Sequence, residues 1–370
     1  MTVQRHEQPD KHAHDRRLLF RRATPLGLTF VAVDPFLTPS ASAAAVDAVV
    51  NTSVPLGSGL LVLLSIGISL ALLLALPLAM AVARTTDALE RRWSSVVTGL
   101  AWVVNMVIFL SYLAPGTDRR LGFAAVVYTA SVAIIALSAL LPARRDGPGS
   151  HGSQSLTLPQ AVARAALLLW TVGAAWFVMD AFGIAPLGFS PLVVRLTAIH
   201  FHYAAFIVPV IAAVVAAAYP SALSRTAAVV SVLGAPSTAI GITAAQLGAP
   251  HWVETLFALP MIAGALLVGV VHLGLALGSG GRLFPRSVRV LRLVVGATLL
   301  GTMGLAAAYA ARGWLPWAPT IPQMALWHGI GNAVGVAFCG LLACWLDPPA
   351  PQVPEASTLP GYRHQDLVAP

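Results

Sequence analysis

The sequence predicts an all-α protein, a polytopic transmembrane helical bundle of about nine spans (eight to ten). Three observations carry that prediction. Hydrophobic residues make up 57% of the 370 and charged residues only 10%, with a mean hydropathy of +0.80. A soluble domain has about 25% charged residues, so this chain lacks the polar side chains to cover a water-exposed surface. The apolar residues run in blocks of roughly 20, the length of a membrane-crossing helix. A β-barrel would show weaker alternating segments of roughly ten residues.

Taken in order, residues 1–23 form a basic, disordered or headgroup-bound tail with Arg16, Arg17, Arg21 and Arg22. They lack an apolar core of the kind a cleavable signal peptide needs. Residues 24–52 are apolar but carry Asp34, Pro35, Pro39 and Asp47, which reads as an interfacial or re-entrant segment. The helical domain spans 53–346, with spans near 56–83, 93–114, 121–142, 161–183, 191–218, 225–247, 252–277, 288–310 and 322–345. Residues 347–370 are Pro-rich and read as a disordered tail. Arginines gather on one side of this arrangement (side B: Arg84, Arg91, Arg92, Arg144, Arg145, Arg225, Arg282, Arg286, Arg289). By the positive-inside rule side B is cytoplasmic, and the expected location is the cell inner membrane, multi-pass. The basic N-terminal tail falls on the opposite side, side A, unless 24–52 crosses as a tenth span.

The net charge of +8 does not point to nucleic acid, because the arginines lie at helix ends and in the tail, where headgroups and topology account for them. Cys339 and Cys344 share one apolar helix and imply neither a disulfide framework nor a zinc site.

The informative residues are the ionisable ones inside the spans, where charge is costly and function is the first hypothesis. Asp180 and Arg195 fall at similar depth near side A. Glu254 and His251 begin the 252–277 span on that side, and His328 lies near the start of the last span with Asn332 on the same face. His200 and His202 lie deeper in the 191–218 span. Candidate catalytic residues are therefore Asp180, Glu254, His200, His202 and His328. Only His272 stands apart, toward side B. Each has a structural alternative: an Asp180–Arg195 ion pair locking two helices, snorkelling of Glu254 and His251, or a buried neutral histidine bonded to a carbonyl. Gly331 and Gly335 form a close-packing spacing.

A His-x-His pair suggests metal, but residues two apart on a helix point to opposite sides, so His200 and His202 reach one ion only if the helix is broken, whereas His200 with His328 and Glu254 could assemble a site. No metal and no cofactor is expected, and the Asp-rich magnesium motif of diphosphate-ionising enzymes is absent. Trp176, Tyr203, Phe206 and Trp327, with Arg195 and Asn332, are candidate substrate-binding residues. Aromatic faces and a desolvated carboxylic acid suit protonation of an alkene or epoxide and shelter of the resulting cation.

The segments Thr197-Ala-Ile-His200-Phe-His202-Tyr203-Ala-Ala-Phe206 and His328-Gly-Ile-Gly-Asn332-Ala-Val-Gly335 resemble the YndJ-like family of bacterial integral membrane proteins, which has a His-Phe-His-Tyr-Ala helix and a late His-Gly-x-x-Asn-Ala helix. This resemblance covers roughly 190–345, and the family is sometimes labelled transporter-like. The chain is also similar to the membrane-bound terpene cyclases of actinobacterial indolosesquiterpene and drimane pathways. That second resemblance implies metal-free, proton-initiated closure of a farnesyl chain, often at a terminal epoxide. The expected function is a terpene cyclase acting on a lipophilic isoprenoid such as a farnesylated indole, with the bilayer, a prenyltransferase and an epoxidase as partners. The alternatives are a small-molecule or proton-coupled transporter and a metal-dependent intramembrane enzyme.

Overall fold

The computed structural model describes residues 118–140, 156–278 and 284–347, all of them helix or short connection with no strand among them. Helix α1 runs Asp118–Leu140, α2 Leu158–Ala181, α3 Pro191–Ala218, α4 Ala222–Gln246, α5 His251–Leu277, α6 Arg286–Ala310 and α7 Ile321–Leu346. Helices α2 to α7 are long and apolar enough to cross a membrane, and α1 contains a shorter apolar stretch, Gly122–Leu137. Six such spans are thus present among the described residues. The expected spans near 56–83 and 93–114, the segment 24–52 and both tails beyond Asp347 and before Asp118 lie outside them.

Short polar caps start the helices. Ser190 accepts from the Val193 N–H ahead of Pro191, whose missing N–H is no loss in a first turn. Ser221 and Ser224 exchange main-chain to side-chain bonds at α4, and Thr320 and Gln323 do so at α7.

Helix α3 is the centre: 72% of its most apolar stretch is buried inside the bundle, against 33% for α5 and α6. Lipid tails are as apolar as leucine, so close backbone approach and hydrogen bonds hold such helices together rather than hydrophobic burial. The α4–α5 seam is built that way. A Cβ on Gly234 would stand 2.6 Å from Met261 Cα, and one on Gly264 2.7 Å from the Ser231 nitrogen. The Gly331/Gly335 spacing acts likewise on α7. A Cβ at Gly335 would collide with the Thr298 hydroxyl of α6, and one at Gly331 would sit 3.1 Å from Thr302 Cγ2.

Two spans depart from α-helix. In α3 the backbone widens to a π-helix over Phe201–Ile207, and the Val208 N–H bonds back to Tyr203 O, five residues earlier. Pro209 follows at once. Its ring crowds the carbonyl four residues back and it has no N–H to give, so a widened turn just upstream relieves the conflict. In α7, Met324–Phe338 is π-helical and holds Gly329, Gly331 and Gly335. Such segments are rare and cluster at functional sites. Here they hold His202 and His328, and His200 immediately precedes the first.

Candidate intramembrane site

His200 and His202 leave α3 in opposite directions, as helical geometry requires. His202 turns inward. Its Nδ1–H donates to Ala198 O at 2.7 Å, and since a carbonyl only accepts, Nε2 carries the lone pair. The Tyr128 hydroxyl of α1 donates to that Nε2 at 2.7 Å and itself accepts the Trp170 Nε1–H of α2 at 2.9 Å. The chain Trp170–Tyr128–His202–Ala198 leaves no ring nitrogen of His202 uncommitted. Tyr128 stacks on the imidazole at 5.7 Å between centroids, and Trp170 stacks on Phe206 at 4.5 Å and 5°. Phe206, expected to touch substrate, is fully buried in this core.

His200 turns the other way, toward α7. Its ring lies 6.2 Å from that of His328, inclined at 23°. The His200 Nδ1–H donates to Leu196 O at 3.1 Å and the His328 Nδ1–H to Thr302 O of α6 at 3.0 Å. By the same reasoning both Nε2 atoms are the outward nitrogens, and neither has a partner among the described residues. Asn332, one turn after His328, accepts the Thr302 hydroxyl on Oδ1 at 2.9 Å. Thr302 therefore engages both residues. Beside them Trp327 is 64% exposed and His200 is exposed, so this group sits on an open edge of the described bundle. Tyr203, half-buried, packs against the core.

The two carboxylates are ion-paired. Arg195 Nε lies 3.2 and 3.0 Å from the two Asp180 oxygens, and the Asp180 side chain is only 4% exposed. The structural alternative for this pair is what the geometry displays, with α2 locked to α3. Trp176 packs close by on Phe189 at 5.9 Å. Glu254 takes both its bonds from Arg312 Nη2, at 2.9 and 2.8 Å, and His251 Nδ1 lies 3.2 Å from its Oε2. Arg312 also lies over the Tyr309 ring at 4.5 Å. The five expected catalytic residues thus form four separate groups, and only His200 and His328 meet. Among the described residues no three His, Cys, Asp or Glu side chains are grouped to hold a metal ion.

A further cluster lies at side B, where the sequence offered little signal. Arg292 of α6 is 1% exposed, donates to Asp347 Oδ2 at 2.8 Å, and lies 5.2 Å from the ring centroids of both Tyr219 and Phe284. The Tyr219 hydroxyl also donates to Asp347. Burial, and then the bond to that carboxylate, push the Tyr219 phenol up from its ordinary value. Asp347, expected to begin the disordered tail, instead anchors the end of α7. His272 stands apart as expected. It is completely buried, and neither ring nitrogen has a hydrogen-bond partner among the described residues.

Apolar spans linked by buried ion pairs and histidine hydrogen bonds define a polytopic helical membrane protein. The family model described as YndJ-like protein matches residues 66–336, most of the chain. The chain belongs to the YndJ-like family. The match reaches well upstream of the 190–345 region that the two motifs mark. No curated protein and no solved structure matches the chain.

Proposed function

We propose that the chain is a membrane-bound terpene cyclase that closes a linear isoprenoid, of the farnesylated-indole type with a terminal epoxide, by proton-initiated cyclisation. The observation that carries this reading is the His200–His328 pair, whose Nδ1 atoms are tied to carbonyls while both Nε2 atoms point outward on an open edge. Two neighbouring imidazoles, one protonated and one neutral, supply an acid and a base together. The imidazolium protonates the epoxide oxygen, the C–O bond breaks, and neighbouring double bonds close the rings. The neutral ring then takes a proton from the carbon beside the last cation. Product and substrate are isomers, and the pair ends with the proton count it began with.

Trp327 and Tyr203 offer ring faces to the cations, and Trp176 does so near Asp180. Asp180 and Glu254 accept guanidinium bonds on both oxygens, a geometry suited to ionised carboxylates. In this reading they hold helices in place and the histidine pair starts the reaction. The protein works in the inner membrane with side B cytoplasmic, fed by a prenyltransferase and an epoxidase. Membranes or purified protein incubated with epoxyfarnesyl-indole decide the matter: a cyclised isomer is expected, and linear substrate persisting beside folded protein sinks the reading.

The ion pairs Asp180–Arg195 and Glu254–Arg312, both at side-A helix ends, favour a second reading as the gate of a proton-coupled small-molecule transporter. Turnover in detergent, where no gradient exists, separates the two.

A further inference from the structure

The polar groups around the histidine pair carry information about what they bind. Thr302 uses its main-chain carbonyl to hold His328 Nδ1–H at 3.0 Å and its hydroxyl to hold Asn332 Oδ1 at 2.9 Å. With Oδ1 engaged, the Asn332 amide turns its Nδ2 hydrogens away from Thr302, and they have no partner among the described residues. The same Thr302 holds His328, whose ring lies 6.2 Å from that of His200. The charge available is small. Among the described residues, Arg195, Arg312 and Arg292 are each matched to a carboxylate, Asp180, Glu254 and Asp347 respectively, and Arg164, whose Nε is buried and unbonded, lies in the second turn of α2, at the opposite end of that helix from Asp180. Releasing one to serve a ligand would strand its carboxylate in a poorly solvating environment, which is strongly unfavourable.

From this we infer that Asn332, aimed by Thr302, and the His200–His328 pair form a seat for one uncharged oxygen on an otherwise apolar ligand: an epoxide, alcohol or ketone, not a diphosphate or carboxylate. The Asn332 Nδ2–H donates to the oxygen lone pair, and the imidazole pair gives or accepts the second bond according to whether the oxygen carries hydrogen. A diphosphate brings several negative charges against, at most, one protonated imidazole, and burying that excess is unfavourable. Thr302 is a positioning residue here. It touches no ligand and acts through the orientation of Asn332 and His328.

The inference deepens the site of the cyclase reading but does not need the cyclisation, because binding is measured without turnover. The full chain in lipid nanodiscs is titrated with tritiated farnesol and challenged with unlabelled farnesol, farnesane and farnesyl diphosphate, without added divalent cations. Saturable farnesol binding is expected, with farnesane and farnesyl diphosphate both competing about tenfold less well than farnesol, the worth of about one hydrogen bond. Asn332→Leu and Thr302→Val each weaken farnesol binding by about five- to tenfold, while Thr302→Ser, which keeps the hydroxyl, restores it. Thermal unfolding of each variant identifies those that are folded. Absence of saturable binding, farnesyl diphosphate competing as well as farnesol, or unchanged affinity in folded Asn332→Leu overturns the inference. If this pattern holds and no cyclised product forms, the cyclase reading fails and the oxygen seat stands.

Discussion

Replacing Tyr128 by phenylalanine tests whether His202 is structural or chemical. The ring is kept, with its edge-on packing against Trp170 and Phe177 at 6.3 and 6.0 Å, and one oxygen is lost. That oxygen donates to His202 Nε2 and accepts from Trp170 Nε1, so both groups are orphaned in a fully packed core. Each orphan costs about 1–3 kcal/mol in soluble proteins. Hydrogen bonds between membrane helices average nearer 0.6 kcal/mol, with a maximum near 1.7. Together these place the loss at about 1–4 kcal/mol. Reversible unfolding in mixed micelles with increasing SDS measures it. A double-mutant cycle with His202→Leu isolates the shared bond, for which we expect a coupling of about 1 kcal/mol. Turnover per folded molecule should be retained. Wild-type stability in Tyr128→Phe with no coupling to His202 would refute the network. Intact stability with lost turnover would return His202 to the chemistry.

Other perturbations follow the same logic. Asp180→Asn removes the carboxylate charge that faces Arg195 across α2 and α3, and we expect about 3–5 kcal/mol lower stability with turnover per folded molecule kept; lost turnover at unchanged stability would make Asp180 the acid. Asp347→Asn strands the buried Arg292 guanidinium, so the unfolding midpoint should fall by a comparable energy, and an unchanged midpoint contradicts the anchor. Gly173→Ala sets a Cβ 2.9 Å from Phe201 Cβ and 3.0 Å from His202 Nδ1, and should cost about 1–3 kcal/mol. Gly274→Ala, with open space around it, is the control and should be neutral or slightly stabilising. His328→Gln and His200→Gln should each remove cyclisation from protein that unfolds normally, as read by product formation beside the thermal transition.

Much of the scaffold was legible because hydropathy and length constrain helices so strongly in a membrane. The span expected at 191–218 is α3, residue for residue, and the other described spans agree to within a few residues. The divergence of His200 and His202 was legible too, because side-chain direction along one helix is local geometry. Partner identity was not. Tyr128 lies 74 residues from the histidine it bonds and Arg312 lies 58 from Glu254, and Arg312 reads equally well as a topology signal. Thr302 looks like any small residue on an apolar helix. Its role comes from a main-chain carbonyl, which has no side-chain signature, and from a hydroxyl whose partner lies 30 residues away.

By itself, then, the sequence determined that the described part of this chain is a bundle of membrane-length apolar helices, where those helices begin and end to within a few residues, and that Asp180, Glu254, His200, His202 and His328 are the candidate ionisable groups within them. Only the tertiary structure decided that these groups divide into a closed His202 network, two carboxylate–guanidinium pairs and one open histidine pair. The physical reason lies in the reach of each signal. Hydropathy and helical periodicity are properties of a single segment. Whether a polar side chain is satisfied depends on which neighbouring helix stands opposite it, and that is fixed by glycine-scale contacts distributed across the whole bundle.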